Sequence, residues 1–348
     1  MKIKISKQFL ILTFLTAVCL TIITSCTENE QETNINIENE IITNDSDAVL
    51  ISINEKIKQN PDDPELYHQR AKYFFETKKD INAAMDDMSR LFKIDSSKVE
   101  YFITLSDIYF VKGFAGNVKA SLEKGLELDP ENITARMKLA ELYLYLKNYQ
   151  GTISNIDKVL KTDKYHAKAY FIKGMAFKEM GDTAKAASSF QTTVEQDPDY
   201  YDAYMQLGLL FAARKNKMAL DYYNSALKLN PRSIEVLYGM GIFFQENGMH
   251  KKAIETYYNI LDIDPGYVNA HYNLGYVHSE YLTDYKTAIA HYGNAIFYKP
   301  SYFEAHYMRG YSYERLKEDE KAIENYNQVL KLKPDYTLAA KGKERLVR

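Results

Sequence analysis

An all-α solenoid, a row of short helical hairpins packed side by side, is the fold this sequence predicts, and three observations predict it. Prolines at 130, 198, 231, 265, 300 and 334 fall 68, 33, 34, 35 and 34 residues apart. Gly174, Gly208, Gly241, Gly275 and Gly310 keep the same beat, and so do Ala186, Ala219, Ala253, Ala288 and Ala322. Three residue types in one register of about 34 residues mark a chain built from copies of a single supersecondary motif. A lone pair of short helices cannot hide its apolar face, so only stacking against neighbours closes a core.

Within each copy, positions 4, 7, 8 and 11 share one face of a first helix at helical spacing. Position 8, the conserved-register glycine, is small so that the second helix can approach. The second helix offers Ala at position 20, an aromatic at position 24 (Phe190, Tyr223, Tyr257, Tyr292, Tyr326) and position 27 to the same seam. Proline at position 32 cannot continue that helix and sets the turn into the next copy. The register yields eight repeats, over 64–336, opening at Pro64, Val99, Ile133, Ala167, Tyr201, Ile234, Val268 and Phe303. One-residue insertions near Lys79 and Leu282, and a deletion near Asn216, are expected in the loops between paired helices. The first three repeats are degenerate: Ser96 and Lys164 stand in for proline, and Ala71 or Lys72, Ser106 and Ala140 for glycine. Residues 49–63, with Val49, Ile53 and Ile57 in phase, are expected to form a capping helix, and 337–348 a C-terminal solvating helix.

The run Phe303-Glu304-Ala305-His306-Tyr307-Met308-Arg309-Gly310-Tyr311-Ser312-Tyr313, followed by Ala322, Tyr326, Val329 and Pro334, resembles the tetratricopeptide repeat. The resemblance implies a right-handed superhelix whose first helices line a concave face, with positions 2, 5, 9, 12 and 13 directed into it. It also implies a protein or peptide as the ligand. The lysine and asparagine with which chaperone-binding members of that family clamp a carboxylate are missing, since position 5 is Phe171, Met205, Tyr238, Tyr272 and Tyr307 in repeats four to eight.

The start of the chain reads as an address. Lys2, Lys4 and Lys7 precede an apolar stretch from Phe9 to Ile23, short for a bilayer span but suited to a signal-peptide core over 1–25. Ile23-Thr24-Ser25-Cys26 then resembles a bacterial lipobox, which implies that Cys26 is lipidated and becomes the first mature residue. An ordinary cleaved signal and a retained anchor helix are the alternatives these residues leave open. Residues 26–48 carry seven acids and no Lys or Arg, too polar to bury area that offsets their ordering entropy. They are expected to act as a tether with a reach on the order of 25 Å. Acidic runs placed this way mark some lipoproteins for the cell surface, and a plain spacer is the other reading.

Charge and cysteine content exclude several classes. Net charge is −3, and beyond residue 48 the balance is 41 basic to 40 acidic residues, without the cation surplus a nucleic-acid binder needs. Both cysteines, Cys19 and Cys26, lie in the first 26 residues, so neither a disulfide framework nor a cysteine-ligated zinc is available. Gly239-Met240-Gly241 fails as a dinucleotide loop because Phe244 takes the third glycine position. His271 and His306 fall at packing position 4 and His278 at position 11. The acid pairs Asp62-Asp63 and Asp86-Asp87 are read as a turn and an outward helix face. No stretch outside the repeats is long enough for an enzyme domain. No enzyme, no metal and no small-molecule cofactor are expected.

The remaining candidate is a surface. In repeats six to eight the inward positions hold Tyr238, Tyr272, Tyr276, Tyr307 and Tyr311, flanked by Glu235, Glu246, Glu280, Glu304 and Glu314, with Arg315 the one inward cation the register places. Tyrosine supplies rigid contact area with a polar tip, which suits a groove for a polypeptide with apolar or basic residues. Packing between neighbouring repeats is the competing role for position 5. The expected function is a scaffold, lipid-anchored through Cys26 in the bacterial envelope and on its outer membrane, that binds other envelope proteins. Glycan binding through the same tyrosines and a structural subunit of a membrane assembly are the alternatives.

Overall fold

The structure, a computed structural model, describes residues 48–347, and all regular structure among them is helical. The signal, the lipobox with Cys26 and nearly all of the tether lie outside the described residues. The chain divides after Ser97 into two compact bodies.

The first body holds α1 (48–59), α2 (Pro64–Tyr73) and α3 (Ile81–Ile94). Asp63 caps α2, its Oδ1 accepting from Glu65 N at 2.9 Å, and Pro64 occupies the first turn, where its missing N–H costs nothing. Ile53 of α1 is buried. Arg70 ties the three helices together: its guanidinium grips both carboxylate oxygens of Asp87 at 2.8 and 2.6 Å and donates to Asn54 Oδ1 at 2.6 Å. Asp86 does face outward, but Asp87 is buried, correcting the outward reading of that pair. One helical step of 100° separates the two faces, and sequence adjacency does not carry a residue across it.

The second body contains repeats two to eight as consecutive hairpins. They are α4 (Val99–Val111) with α5 (Ala115–Leu128), α6 (Ile133–Tyr145) with α7 (Tyr149–Thr162), α8 (Ala167–Glu179) with α9 (Thr183–Gln196) and α10 (Tyr201–Ala213) with α11 (Met218–Leu229). Then come α12 (Ile234–Glu246) with α13 (His250–Ile263), α14 (Val268–Tyr276) with α15 (Tyr285–Tyr298) and α16 (Phe303–Arg315) with α17 (Asp319–Leu332). A last helix, α18 (Thr337–Val347), lies on α17 and buries Ala339 and Gly342. Within this body each helix packs on its sequence neighbours, and the first helices open at the residues where the 34-residue register opens its repeats.

The insertions near Lys79 and Leu282 are not in loops. Each is absorbed as a π-helical turn at the end of a first helix, Phe74–Lys78 and Val277–Tyr281. An extra residue inside a helix widens one turn and leaves the buried face in phase. The hairpin turn itself cannot stretch, because every one passes through a single left-handed residue: Lys79, Gly113, Lys147, Gly181, Lys215, Gly248, Thr283 and Lys317.

The seam inside each hairpin is a volume match between positions 8 and 24. A Cβ on Gly174 would lie 2.6 Å from the Phe190 ring, on Gly208 2.4 Å from Tyr223, on Gly241 2.4 Å from Tyr257 and on Gly275 2.7 Å from Tyr292. In the degenerate repeats Ala71, Ser106 and Ala140 take position 8, and position 24 shrinks to Met88, Leu122 and Ile156. All eight position-24 side chains are fully buried. Interiors are packed at crystal density, so one methyl gained on one helix requires one ring lost on the other.

The ring hydroxyls then need partners. Tyr257 donates to Gln245 Oε1 at 2.9 Å, the hydroxyls of Tyr292 and Ser279 are 3.0 Å apart, and Tyr326 donates to Glu314 Oε2 at 2.5 Å. In every case the partner is position 12 of the same repeat. Repeat five has Ala212 there, and among the described residues the buried Tyr223 hydroxyl meets no donor or acceptor.

Joints between repeats are built alike. Asp95, Asp129, Asp163, Asp197, Asn230 and Asp264 each accept, through Oδ1, the backbone N–H two residues on, forming Asx turns that end the second helices. In four of the joints the carbonyl at position 32 is then held by position 4 of the following repeat. Arg136 donates to Pro130 O at 2.7 Å, Tyr170 to Lys164 O at 3.0 Å, His271 to Pro265 O at 2.9 Å and His306 to Pro300 O at 3.0 Å. Lys164 shows that the joint needs a carbonyl more than it needs proline. His271 and His306 therefore do more than fill an aromatic packing place.

Candidate functional site

The first helices of repeats six to eight carry the inward positions, and packing splits them by depth. Tyr238, Tyr272 and Tyr307, at position 5, lie half-buried between two rings each. One is position 24 of the same repeat: Tyr257 at 6.4 Å between centroids, Tyr292 at 5.7 Å and Tyr326 at 5.9 Å. The other is the residue just before the next helix: Tyr267 at 5.9 Å, Tyr302 at 5.1 Å and Tyr336 at 5.3 Å. Phe171 repeats the arrangement with Phe190 and Tyr200. Repeat five interrupts it, with Met205 at position 5 and Ser233 before the next helix, the Tyr201 hydroxyl lying 2.6 Å from Ser233 Oγ. The position-5 tyrosines are thus rungs of an aromatic ladder that joins neighbours. Burial raises the Tyr238 and Tyr272 phenols and pushes Tyr307 up to about 12.

Tyr276 and Tyr311, one turn further along at position 9, are half-buried without being enclosed in that ladder. The Tyr276 ring meets Tyr281 edge-on at 5.9 Å. Burial, with Tyr281 and Glu280 beside it, moves its phenol up to about 12. Glu280 also faces Tyr311, whose other neighbours are Arg315 and Tyr285, and the Arg315 guanidinium lies 5.6 Å from the Tyr285 ring centre. Glu235, Glu246 and Glu280 are exposed; Glu304 is half-buried, and that burial raises its carboxyl against the pull of Lys333 and Lys299.

One sequence reading of this face needs correction. Glu314 is not available to a ligand: Arg345 of α18 binds both its oxygens at 2.9 and 3.0 Å, and Tyr326 donates to it from below. In repeat four, outside this face, Lys178 at position 12 is half-buried and donates to Gln206 Oε1 at 2.8 Å. Burial lowers its pKa. Sequence reasoning also missed Tyr281, which the π turn brings beside Tyr276, and the rungs Tyr267, Tyr302 and Tyr336. Their spacing of 35 and 34 residues carried the signal.

Among the described residues no group of His, Cys, Asp or Glu is arranged to hold a metal ion, and no helix is long and apolar enough to cross a membrane. What the face offers is adsorption: flat aromatic area, a row of carboxylates and no nucleophile paired with a base.

The fold and this face define a repeat scaffold. Comparison with known proteins names the repeat: tetratricopeptide-repeat family models match residues 171–218 and 303–336. The C-terminal part of a TPR repeat-containing protein from Cytophaga hutchinsonii superposes with a TM-score of 0.61 at 19% identity, covering 69% of this chain and 98% of that one. A tetratricopeptide repeat protein from Parabacteroides merdae superposes with 0.52 at 16% identity, covering 72% and 99%. Both likenesses concern the fold. Among curated relatives, tetratricopeptide repeat protein 37 of Xenopus laevis is 26% identical over 239 residues, 66% of this chain, and the chain spans 15% of that protein's length. Photosystem I assembly protein Ycf3 of Acaryochloris marina is 34% identical over 108 residues, 29% of this chain and 65% of its own. The chain is a tetratricopeptide-repeat protein, and proteins of this kind act as protein-interaction scaffolds.

Proposed function

We propose that this protein is an envelope scaffold, held to a bacterial membrane through lipidated Cys26, which binds a basic and apolar segment of another envelope protein along the first helices of repeats six to eight. The observation that carries this reading is the strip itself. Tyr276 and Tyr311 stand clear of the ladder that occupies Tyr238, Tyr272 and Tyr307, and exposed Glu235, Glu246 and Glu280 border them. Aromatic faces attract cations, and carboxylates beside them add to that attraction where water is displaced. Relatives named for assembly and for multi-protein complexes lend support for a scaffold role, as do the lipobox residues for the anchor.

In-cell cross-linking from position 276 followed by mass spectrometry identifies the partner, and anisotropy with its basic segment measures the contact. Tyr276→Ala combined with Tyr311→Ala is expected to weaken binding at least tenfold, and added salt to weaken it further. Unchanged affinity, or capture of glycans only, refutes the groove. Loss of lipid labelling in Cys26→Ser tests the anchor separately, and normal labelling refutes it.

A further inference from the structure

Repeat seven gathers three imidazoles in its seam. The His291 ring of α15 lies 6.0 Å from His271 of α14 and 5.8 Å from His278, nearly parallel to the latter, and all three are buried or nearly so. No other repeat has histidine at the place of His291; the corresponding residues are Ser189, Tyr222, Thr256 and Asn325 in repeats four, five, six and eight.

Among the described residues each ring keeps a nitrogen without a hydrogen-bond partner: Nδ1 of His271 and His291, and Nε2 of His278. Groups from every packed element face the stack. From α13, Tyr258 places its hydroxyl 3.1 Å from His291 Nε2. Within α15, Tyr298 stacks on His271 at 5.8 Å. From the turn, Asp284 sits 3.3 Å from His278 Nδ1, while Arg309 of α16 lies against Gly293 and donates to Asn325 Oδ1 at 2.8 Å. One carboxylate, at the edge of the stack, therefore stands against three imidazoles.

We propose that this stack is an acid-sensitive latch: His291, at its centre, packs as a neutral ring, and its protonation drives α13, α14 and α15 apart and opens repeat seven. Tyr272 and Tyr276 ride on α14, so opening also dismantles the binding strip; that consequence rests on the function proposed above, whereas the latch itself does not.

The sign follows from linkage. Burial first, then the nearby His271 and His278, depress His291 from 6.5 to about 4 in the closed state, with Asp284 opposing. As pH falls through that window the opened state takes up the proton first, so closure weakens, while above pH 6.5 the effect vanishes. Between pH 7 and 5 the opening equilibrium rises by roughly 20-fold.

Hydrogen-exchange mass spectrometry on the full chain without ligand, corrected for intrinsic exchange at each pH, tests this. Residues 268–298 are expected to lose protection about 20-fold between pH 7 and 5 while residues 133–196 do not, and His291→Thr, the residue repeat six uses, is expected to abolish the difference. Equal acid sensitivity in both regions, or an unaltered response in the variant, overturns the latch. Should the variant fold poorly, NMR titration of the unaltered protein decides: a His291 ring titrating near 6.5 overturns it, and one still neutral at pH 5 supports it. Partner release at pH 5 is a separate measurement, so a missing partner and a missing latch give different results.

Discussion

Gly241→Ala isolates the packing rule that joins positions 8 and 24. The added methyl would sit 2.4 Å from Cε1 of Tyr257, a ring locked in a fully buried seam with its hydroxyl on Gln245. Overpacking of this kind costs about 1–3 kcal/mol, and replacing a mid-helix glycine by alanine returns about 0.5–1 kcal/mol. The net expectation is a loss of about 1–2 kcal/mol. Gly310→Ala is the control: its methyl would meet Asn325 and Tyr326 at 3.0 Å, where a small shift suffices, and the two contributions nearly cancel. Tyr257→Leu alone leaves a cavity and costs about 3 kcal/mol. The double variant recreates the Ser106–Leu122 and Ala140–Ile156 type of seam, so its loss should fall short of the sum by about 1–2 kcal/mol. Urea denaturation followed by circular dichroism of the four proteins measures this, with exchange protection over α12 and α13 guarding against partial unfolding of a repeat array. Additivity within about 0.5 kcal/mol, or equal losses for Gly241→Ala and Gly310→Ala, would refute the volume match.

Other outcomes follow from the same geometry. Tyr223→Phe removes a buried hydroxyl that meets no protein partner and should stabilise by about 1 kcal/mol, whereas Tyr257→Phe breaks the bond to Gln245 and should destabilise by a similar amount; urea midpoints moving in the same direction would contradict this. Lys215 and the β-branched Thr283 hold left-handed turns at φ 56° and 54°, so Lys215→Gly should raise stability by about 0.5–1 kcal/mol and Thr283→Gly by more, checked by thermal melts. Arg345→Ala should release Glu314 and expose the end of α17, seen as faster hydrogen exchange around Tyr326 with residues 133–196 unchanged.

Repetition made most of the fold legible. A glycine recurring with a proline and an alanine every 34 residues leaves few arrangements for two helices and their joints, and the helix starts follow. Local rules failed where side chains choose partners across the seam. Asp87 was misplaced because a burial that depends on Arg70 and Asn54 has no local signature. The extra residues at Lys79 and Leu282 were sent to loops because a polar turn is the usual place for an insertion. The helix absorbed them instead, its buried face tolerating a widened turn better than the hairpin tolerates a changed left-handed residue.

The candidate face shows the same division. Sequence by itself determined that tyrosines and glutamates recur at inward positions of repeats six to eight, because a helical register is a one-dimensional property. Only the tertiary structure decided which of them a ligand can reach: Tyr238, Tyr272 and Tyr307 are claimed by the rings on either side, Glu314 by Arg345 and Tyr326, while Tyr276 and Tyr311 are left half-open. Nor could the register show three imidazoles meeting in one seam, since His271 and His278 share a face of the first helix while His291 comes from the second, and the two approach only when the hairpin closes. Burial and partnership belong to the assembled neighbours, not to any one position in the chain.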